Sequence, residues 1–287
     1  MRALPVFFTP AMVADSQSFS PSAAKPLAVL RSWQRLGVPL AIHAPAGATE
    51  SVLALAHDPS YVRAVLELRR ANGFGNHSPA VAASLPYTTG AMLAGALHAL
   101  AHGGVAIAPC SGFHHARWAS GGGFCTFNGL MVTAAALHAE GAARVGILDC
   151  DMHYGDGTED IIAHLGRPRW VTHFTAGAHY REAWQAERFL RDALPAAVRE
   201  MQGCDVVLYQ AGADPHIDDP LGGWLSTEEL HERDRIVFEL LHAMKVPVVW
   251  NLAGGYQQDA NGGISKVLEI HDSTLRACAR VHLLAGH

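Results

Sequence analysis

Residues 145–158, Val-Gly-Ile-Leu-Asp-Cys-Asp-Met-His-Tyr-Gly-Asp-Gly-Thr, constrain the fold more than any other stretch of the chain. Val145, Ile147 and Leu148, with Cys150 beyond, make an apolar run that fits a strand buried on both faces. The run then dissolves into Asp-x-Asp-x-His and a Gly-Asp-Gly turn. Strand residues two apart point to the same side, so Asp149, Asp151 and His153 can meet at the end of a buried strand. Two carboxylates and an imidazole in such a place are costly unless a cation or donors compensate them. A divalent metal with oxygen and nitrogen ligands accounts for the pattern. A strand running into an ordinary polar turn is the plainer alternative.

The rest of the chain places that strand among others of its kind. Apolar runs at residues 4–9, 40–43, 105–108, 170–174, 206–210 and 246–252 read as strands. Between them, residues 24–36, 48–55, 60–70, 88–101, 128–140, 158–165, 181–201 and 227–244 read as helices, the 181–201 segment interrupted at Pro195. Ser226 and Glu229 make a capping box at the start of the last of these. After residue 256 the chain reads as loop and then helix to residue 287. Residues 72–86, with two Gly, two Asn and two Pro, read as one long loop. Strands alternating with helices predict an α/β fold: a single domain over residues 1–287, three-layered, helices on both faces of a mostly parallel central sheet.

Composition narrows the function. At 287 residues, 49% hydrophobic and only 16% charged, the chain can bury a sizeable core. A net charge of -5 without any basic block speaks against nucleic acid as a partner. No uninterrupted apolar stretch reads as long enough to span a bilayer, so a membrane is not an expected partner. The five cysteines, Cys110, Cys125, Cys150, Cys204 and Cys278, are odd in number and include no Cys-x-x-Cys, which fits the reducing cytoplasm. The short apolar start before Pro10 carries Pro5 and reads as the first strand, not a signal peptide.

In parallel sheets ligands bind beyond the carboxyl ends of the strands. Four loops at those ends carry the unusual residues. The first holds Gly112-Phe113-His114-His115-Ala116 and then Gly121-Gly122-Gly123-Phe124-Cys125-Thr126-Phe127-Asn128. The second holds Asp149, Asp151, His153 and Asp156. The third holds Gly212-Ala213-Asp214 and then Asp218-Asp219-Pro220-Leu221-Gly222-Gly223, and the fourth Gly254-Gly255-Tyr256. Together these motifs resemble the histone deacetylase and acetylpolyamine amidohydrolase family, in the arginase/deacetylase fold, with order and spacing retained from about His57 to Tyr256.

The resemblance implies a zinc-dependent deacetylase. Asp151, His153 and Asp219 would be the metal ligands, the Asp-Pro-Leu-Gly-Gly context favouring Asp219 over Asp218, with Asp214 structural. His115 would be the general base and His114 its electrostatic or proton-delivering partner. Asp149 and Asp156 would hydrogen-bond His114 and His115 respectively. Tyr256 would donate its hydroxyl to the carbonyl oxygen, and Gly123, Phe124 and Gly254 would contact substrate. Two carboxylates and one imidazole form a hard ligand set, so Fe2+, Co2+ or Mn2+ could replace Zn2+. The resemblance also implies a structural K+ or Na+ beside Asp149. The implied substrate is a small N-acylated amine or polyamine, with an acetyl-lysine protein as the alternative; a homo-oligomer is compatible with the sequence.

The chain departs from the family pattern at three places. Tyr154 stands where a second His is common, residues 72–84 lack a clear acidic lip residue, and the segment after residue 174 is short. Phe174 and Tyr180 are therefore only candidates for the aromatic wall opposite Phe124. Two other classes compete: a manganese ureohydrolase, whose central motif runs Asp-x-His-x-Asp, and a non-catalytic small-molecule binder, which would have lost ligands, base or tyrosine.

Overall fold

Seven strands form one parallel sheet in a computed structural model that describes residues 3–284. The strands are β1 (Leu4–Phe7), β2 (Leu40–His43), β3 (Val105–Ala108), β4 (Val145–Asp149), β5 (Val171–Thr175), β6 (Val206–Gly212) and β7 (Val248–Ala253). They lie in the order β2-β1-β3-β7-β6-β4-β5. β3, β4, β6 and β7 are buried along their whole length, as their unbroken apolar runs require.

Among the described residues ten α-helices accompany them: α1 (Lys25–Arg35), α2 (Glu50–Leu53), α3 (Pro59–Leu66), α4 (Pro79–His102), α5 (Gly129–Ala139), α6 (Asp156–His164), α7 (Ala186–Arg188), α8 (Leu194–Glu200), α9 (Thr227–Ala243) and α10 (Ser265–Ala279). The expected α/β class with a parallel sheet is what the structure has. The Ser226–Glu229 capping box closes as read, with Ser226 accepting from the Glu229 N–H and Glu229 from the Ser226 N–H. Residues 1–2 and the expected helix end at 285–287 lie outside the described residues.

Three expectations need correction. The loop at 72–86 is too long as read, because α4 begins at Pro79, capped by Ser78, and runs straight through Pro86. Pro86 costs the helix one N–H. The helix survives because it lies in the core: a side chain on Gly95 would press on Val249, and the Pro86 carbonyl accepts the Ala48 N–H. At 24 residues α4 is also long and apolar enough to cross a membrane by length and composition, against the expectation that no stretch is. Its burial against β3 and β7 explains that composition as core packing. Third, the chain from 183 to 200 is not interrupted at Pro195. A π-helical turn at Phe189–Ala193 precedes it, and Pro195 sits harmlessly in the first turn of α8.

The sheet register aligns a row of residues at the C-terminal edge. Ala108 of β3 pairs with Asn251 of β7, Asn251 with Gln210 of β6, and Gln210 with Asp149 of β4. The polar members are fully buried and linked, with Gln210 Nε2 donating to Asp149 Oδ1 at 3.0 Å. The four signature loops leave the sheet just above this row.

Candidate metal and active site

Asp149, at the end of β4, anchors the site. Its Oδ2 accepts from His114 Nδ1 at 2.8 Å, and its Oδ1 from the Asp151 N–H and Gln210. Both oxygens thus meet donors at the place where the resemblance implies K+ or Na+. The neighbouring loop supplies a second pair: His115 Nδ1 lies 2.6 Å from Asp156 Oδ1. Asp156 opens α6, whose first turn packs on the backbone of His115 and Ala116, with the Thr158 N–H donating to the His114 carbonyl. The two expected histidine–carboxylate pairs are therefore both formed. The imidazoles lie side by side, centroids 4.1 Å apart.

The two rings are tuned in opposite directions. Burial alone would lower the His114 pKa, but the Asp149 and Asp151 carboxylates together outweigh it and raise it to about 9. His115 is lowered, by burial first and by His114 next, against the pull of Asp156.

Beside them lies a cluster of Asp151, His153 and Asp214, whose ligand atoms all fall within 4.8 Å of one another. His153 Nδ1 faces Asp214 Oδ2 at 3.0 Å and Asp151 Oδ1 at 3.2 Å. Asp151 and Asp214 are buried, and burial together with the Asp151 charge raises the Asp214 pKa to about 7. The hydrogen bonds that His153 donates to Asp151 and Asp214 raise its pKa to about 10. Two buried carboxylates converging on one imidazole nitrogen call for positive charge, and that donor set fits a divalent cation.

The expected ligands Asp151 and His153 lie in this cluster together with Asp214, and the third expected ligand, Asp219, stands beside it. β4 and β6 are in register, Asp149 opposite Gln210, so Asp151 and Asp214 emerge from neighbouring strand ends. Asp214 fits because Gly254 is a glycine at φ +49°: a side chain there would overlap the Asp214 carboxylate. Asp219 also clamps two loops. Its Oδ1 accepts the Leu221 N–H at 3.0 Å and its Oδ2 the Tyr256 N–H at 2.8 Å. It therefore fixes the main chain of Tyr256, whose ring is almost wholly buried and whose phenol is held neutral well above its ordinary range, by burial first and by Asp214 next.

Of the expected substrate contacts, Gly123 lies against the His115 ring, and Phe124 stands 5.5 Å from Tyr256 between ring centroids. Gly254 lies behind the site, against Asp214, its carbonyl accepting from Lys25 Nζ. Lys25 is a residue that sequence reasoning missed. It is fully buried, and burial lowers its pKa to about 8 despite Asp214, Asp151 and Asp219. Neither candidate for the opposite wall faces Phe124 among the described ring contacts: Tyr180 packs on Phe189 and Trp224. Phe19, 59% exposed, meets Phe124 edge-on at 5.2 Å, with Phe74 at 5.9 Å.

His57, to which the sequence assigns no role, is also part of this framework. Its buried ring bridges the ends of the His114–His115 loop, Nε2 accepting the Asn128 N–H at 2.8 Å and Nδ1 donating to the Arg117 carbonyl at 3.0 Å.

The chain is similar to known proteins in sequence and in fold. The family model described as the histone deacetylase domain matches residues 21–180 and 176–269. An uncharacterised protein of Picosynechococcus sp. is 30% identical over 72% of this chain and 76% of its own. Acetylpolyamine amidohydrolase 2 of Pseudomonas aeruginosa is 28% identical over 52% of this chain, which spans half (50%) of that relative. The crystal structure of acetylpolyamine aminohydrolase from Burkholderia pseudomallei superposes with a TM-score of 0.75 over 97% of this chain and 99% of that one, at 19% identity, a likeness of fold.

Proposed function

The chain belongs to the histone deacetylase family, and from that membership we propose that it is a metal-dependent amidohydrolase removing an acyl group, acetyl foremost, from a small N-acylated amine. The observation that carries this reading is the pair of imidazoles, each with Nδ1 on a carboxylate, beside the Asp151–His153–Asp214 cluster. Those three residues would hold the cation: zinc by first choice, with Fe2+, Co2+ or Mn2+ suited to the same oxygen-rich set. When bound, the cation supplies Lewis acidity to the amide carbonyl and acidifies a neighbouring water.

The chain's own residues do the rest. Asp156 holds the Nδ1 of His115, which leaves Nε2 to take a proton from the attacking water. Asp149 holds His114 in the same way, so that ring contributes positive charge beside the developing oxyanion and a proton for the leaving amine. Tyr256, its main chain fixed by Asp219, donates its hydroxyl to the oxyanion. The order Asp-x-Asp-x-His together with Tyr256 sets this site apart from a ureohydrolase, and the retained base and tyrosine set it apart from a mere binder.

The relative named acetylpolyamine amidohydrolase supports small amines as substrates. The family's name keeps a protein acetyl-lysine as the second reading, favoured by the exposed apolar side chains Phe19, Ile217 and Leu221. The cysteines, buried and unpaired, support a reducing cytoplasmic setting.

The test couples metal content to a panel of acetylputrescine, acetylspermidine and acetyl-lysine peptides. Hydrolysis should vanish on chelation and return with added zinc. His115→Ala and Tyr256→Phe should each lower kcat about a hundredfold or more at an unchanged melting temperature. Near-normal turnover in either variant removes that residue's role. No hydrolysis across the panel by metal-loaded protein overturns the proposal.

A further inference from the structure

Within the amidohydrolase reading above, we infer that Arg181 is a carboxylate-binding group at the mouth of the site, and that the amine released from the substrate carries a carboxylate. Arg181 lines a cavity of about 400 Å³ together with His115, His153, Tyr154 and Leu221. Its guanidinium is anchored without being neutralised. Nε and Nη2 both donate to the Gly177 carbonyl, each at 3.2 Å, and among the described residues no carboxylate lies within ion-pair distance of it.

The anchor is tied to the reacting centre. Gly177 packs directly on the main chain of His153, so closely that a side chain there would overlap the His153 carbonyl. The guanidinium is therefore held one residue from His153, and among the described residues its Nη1 has no partner. The one carboxylate lining the same cavity, Asp156, already faces His115 at 2.6 Å and Arg117 at 2.5 Å. What the mouth offers a substrate is thus an unpaired, pre-positioned positive charge. It would repel the ammonium of a polyamine. A fixed guanidinium recognises a planar carboxylate through charge-assisted hydrogen bonds, and holding it in place beforehand reduces the entropy lost on binding.

Matched substrates test this. ω-Acetamido carboxylic acids of graded chain length are compared with their primary amides and with acetylputrescine, in the wild type and in Arg181→Gln and Arg181→Lys. In the wild type the best acid should exceed its amide by about tenfold or more in kcat/KM, expressed in KM, and exceed acetylputrescine further. Arg181→Gln should bring the acid-to-amide ratio to about one. Arg181→Lys should keep part of it, since charge remains but the fork is lost. Equal kcat/KM for acid and amide in the wild type, a preference for acetylputrescine, or an equal loss on all substrates in Arg181→Gln would overturn the inference while leaving the amidohydrolase reading intact. No turnover of any substrate overturns both.

Discussion

The two edges of the sheet are both rich in histidine, yet only one has the makings of a catalytic centre. At the C-terminal edge, His114, His115 and His153 each present Nδ1 to a carboxylate between 2.6 and 3.2 Å away. At the N-terminal edge, His98, His102, His242 and His282 line a cavity of about 200 Å³ beside Gly103 and Gly104. There His98 and His102 stack at 4.3 Å, His102 Nδ1 donates to the His98 carbonyl, and His242 meets His282 edge-on at 5.3 Å. Among the described residues no carboxylate lies within ion-pair distance of His98, His102 or His242. The electrostatic outcome differs where carboxylates outweigh burial. His114 and His153 are raised to about 9 and 10, whereas burial lowers His115 despite Asp156 and, with His102 and His43, lowers His98. An imidazole gains a defined tautomer, orientation and charge from the group on its other nitrogen. Number and proximity of rings supply none of these.

The sharpest way to break that contrast is to remove the carboxylates one at a time. Asp214→Asn should abolish stoichiometric metal binding and lower kcat/KM about a thousandfold or more, because it breaks the Asp151–His153–Asp214 cluster. Asp219→Asn should keep the metal. Its cost should appear in kcat, about ten- to a hundredfold, through a loosened Tyr256 main chain. Metal analysis of both proteins, alongside steady-state kinetics, decides it. Full metal in Asp214→Asn and none in Asp219→Asn would restore the ligand set first expected from the sequence.

The pair Asp214 and Asp219 marks where the sequence was legible and where it was not. Alternation along β4 puts Asp149, Asp151 and His153 at one place, because a two-residue period is local and needs no knowledge of the fold. Strands and helices were readable for the same reason. The choice between Asp214 and Asp219 is not local. It depends on the β4–β6 register, on the room Gly254 leaves for Asp214, and on the loops that bring Asp219 to Tyr256. Asp214 stands two residues beyond its strand end, as Asp151 does. Phe19 escaped notice because it sits in a polar, Ser-rich segment, and only tertiary packing brings it to Phe124. Lys25 reads as a surface residue at the start of an amphipathic helix, and its burial beneath Gly254 is equally non-local.

His57 sharpens the contrast from within the C-terminal edge, since its ring has backbone partners and no carboxylate. Burial lowers its pKa from 6.5 to about 4, against the Arg117 and Trp118 carbonyls. The folded protein keeps it neutral where the unfolded chain takes up a proton. Its contribution to stability is therefore complete above pH 6.5 and is lost as pH falls through the window down to about 4, amounting to about 3 kcal/mol. Denaturant melts of wild type and His57→Gln between pH 7.5 and 4 should show the gap between the two proteins narrowing as pH falls. A gap independent of pH would mean that His57 contributes packing alone.

The smallest expected effect belongs to the N-terminal edge, and it is the strictest test of the comparison. If rings without carboxylates carry no chemistry, the double variant His98→Ala, His102→Ala should leave kcat/KM and metal content unchanged. His102 is exposed and His98 only half-buried, and their stacking over the last turn of α4 is worth little. Alanine is the better helix former at both positions, which offsets the lost ring contact, so stability should move by less than about 0.5 kcal/mol. Denaturant midpoints and metal stoichiometry measure both quantities. A second equivalent of metal bound by the wild type and lost in this variant would show that a paired carboxylate is not what separates the two edges, because imidazoles alone would then have sufficed.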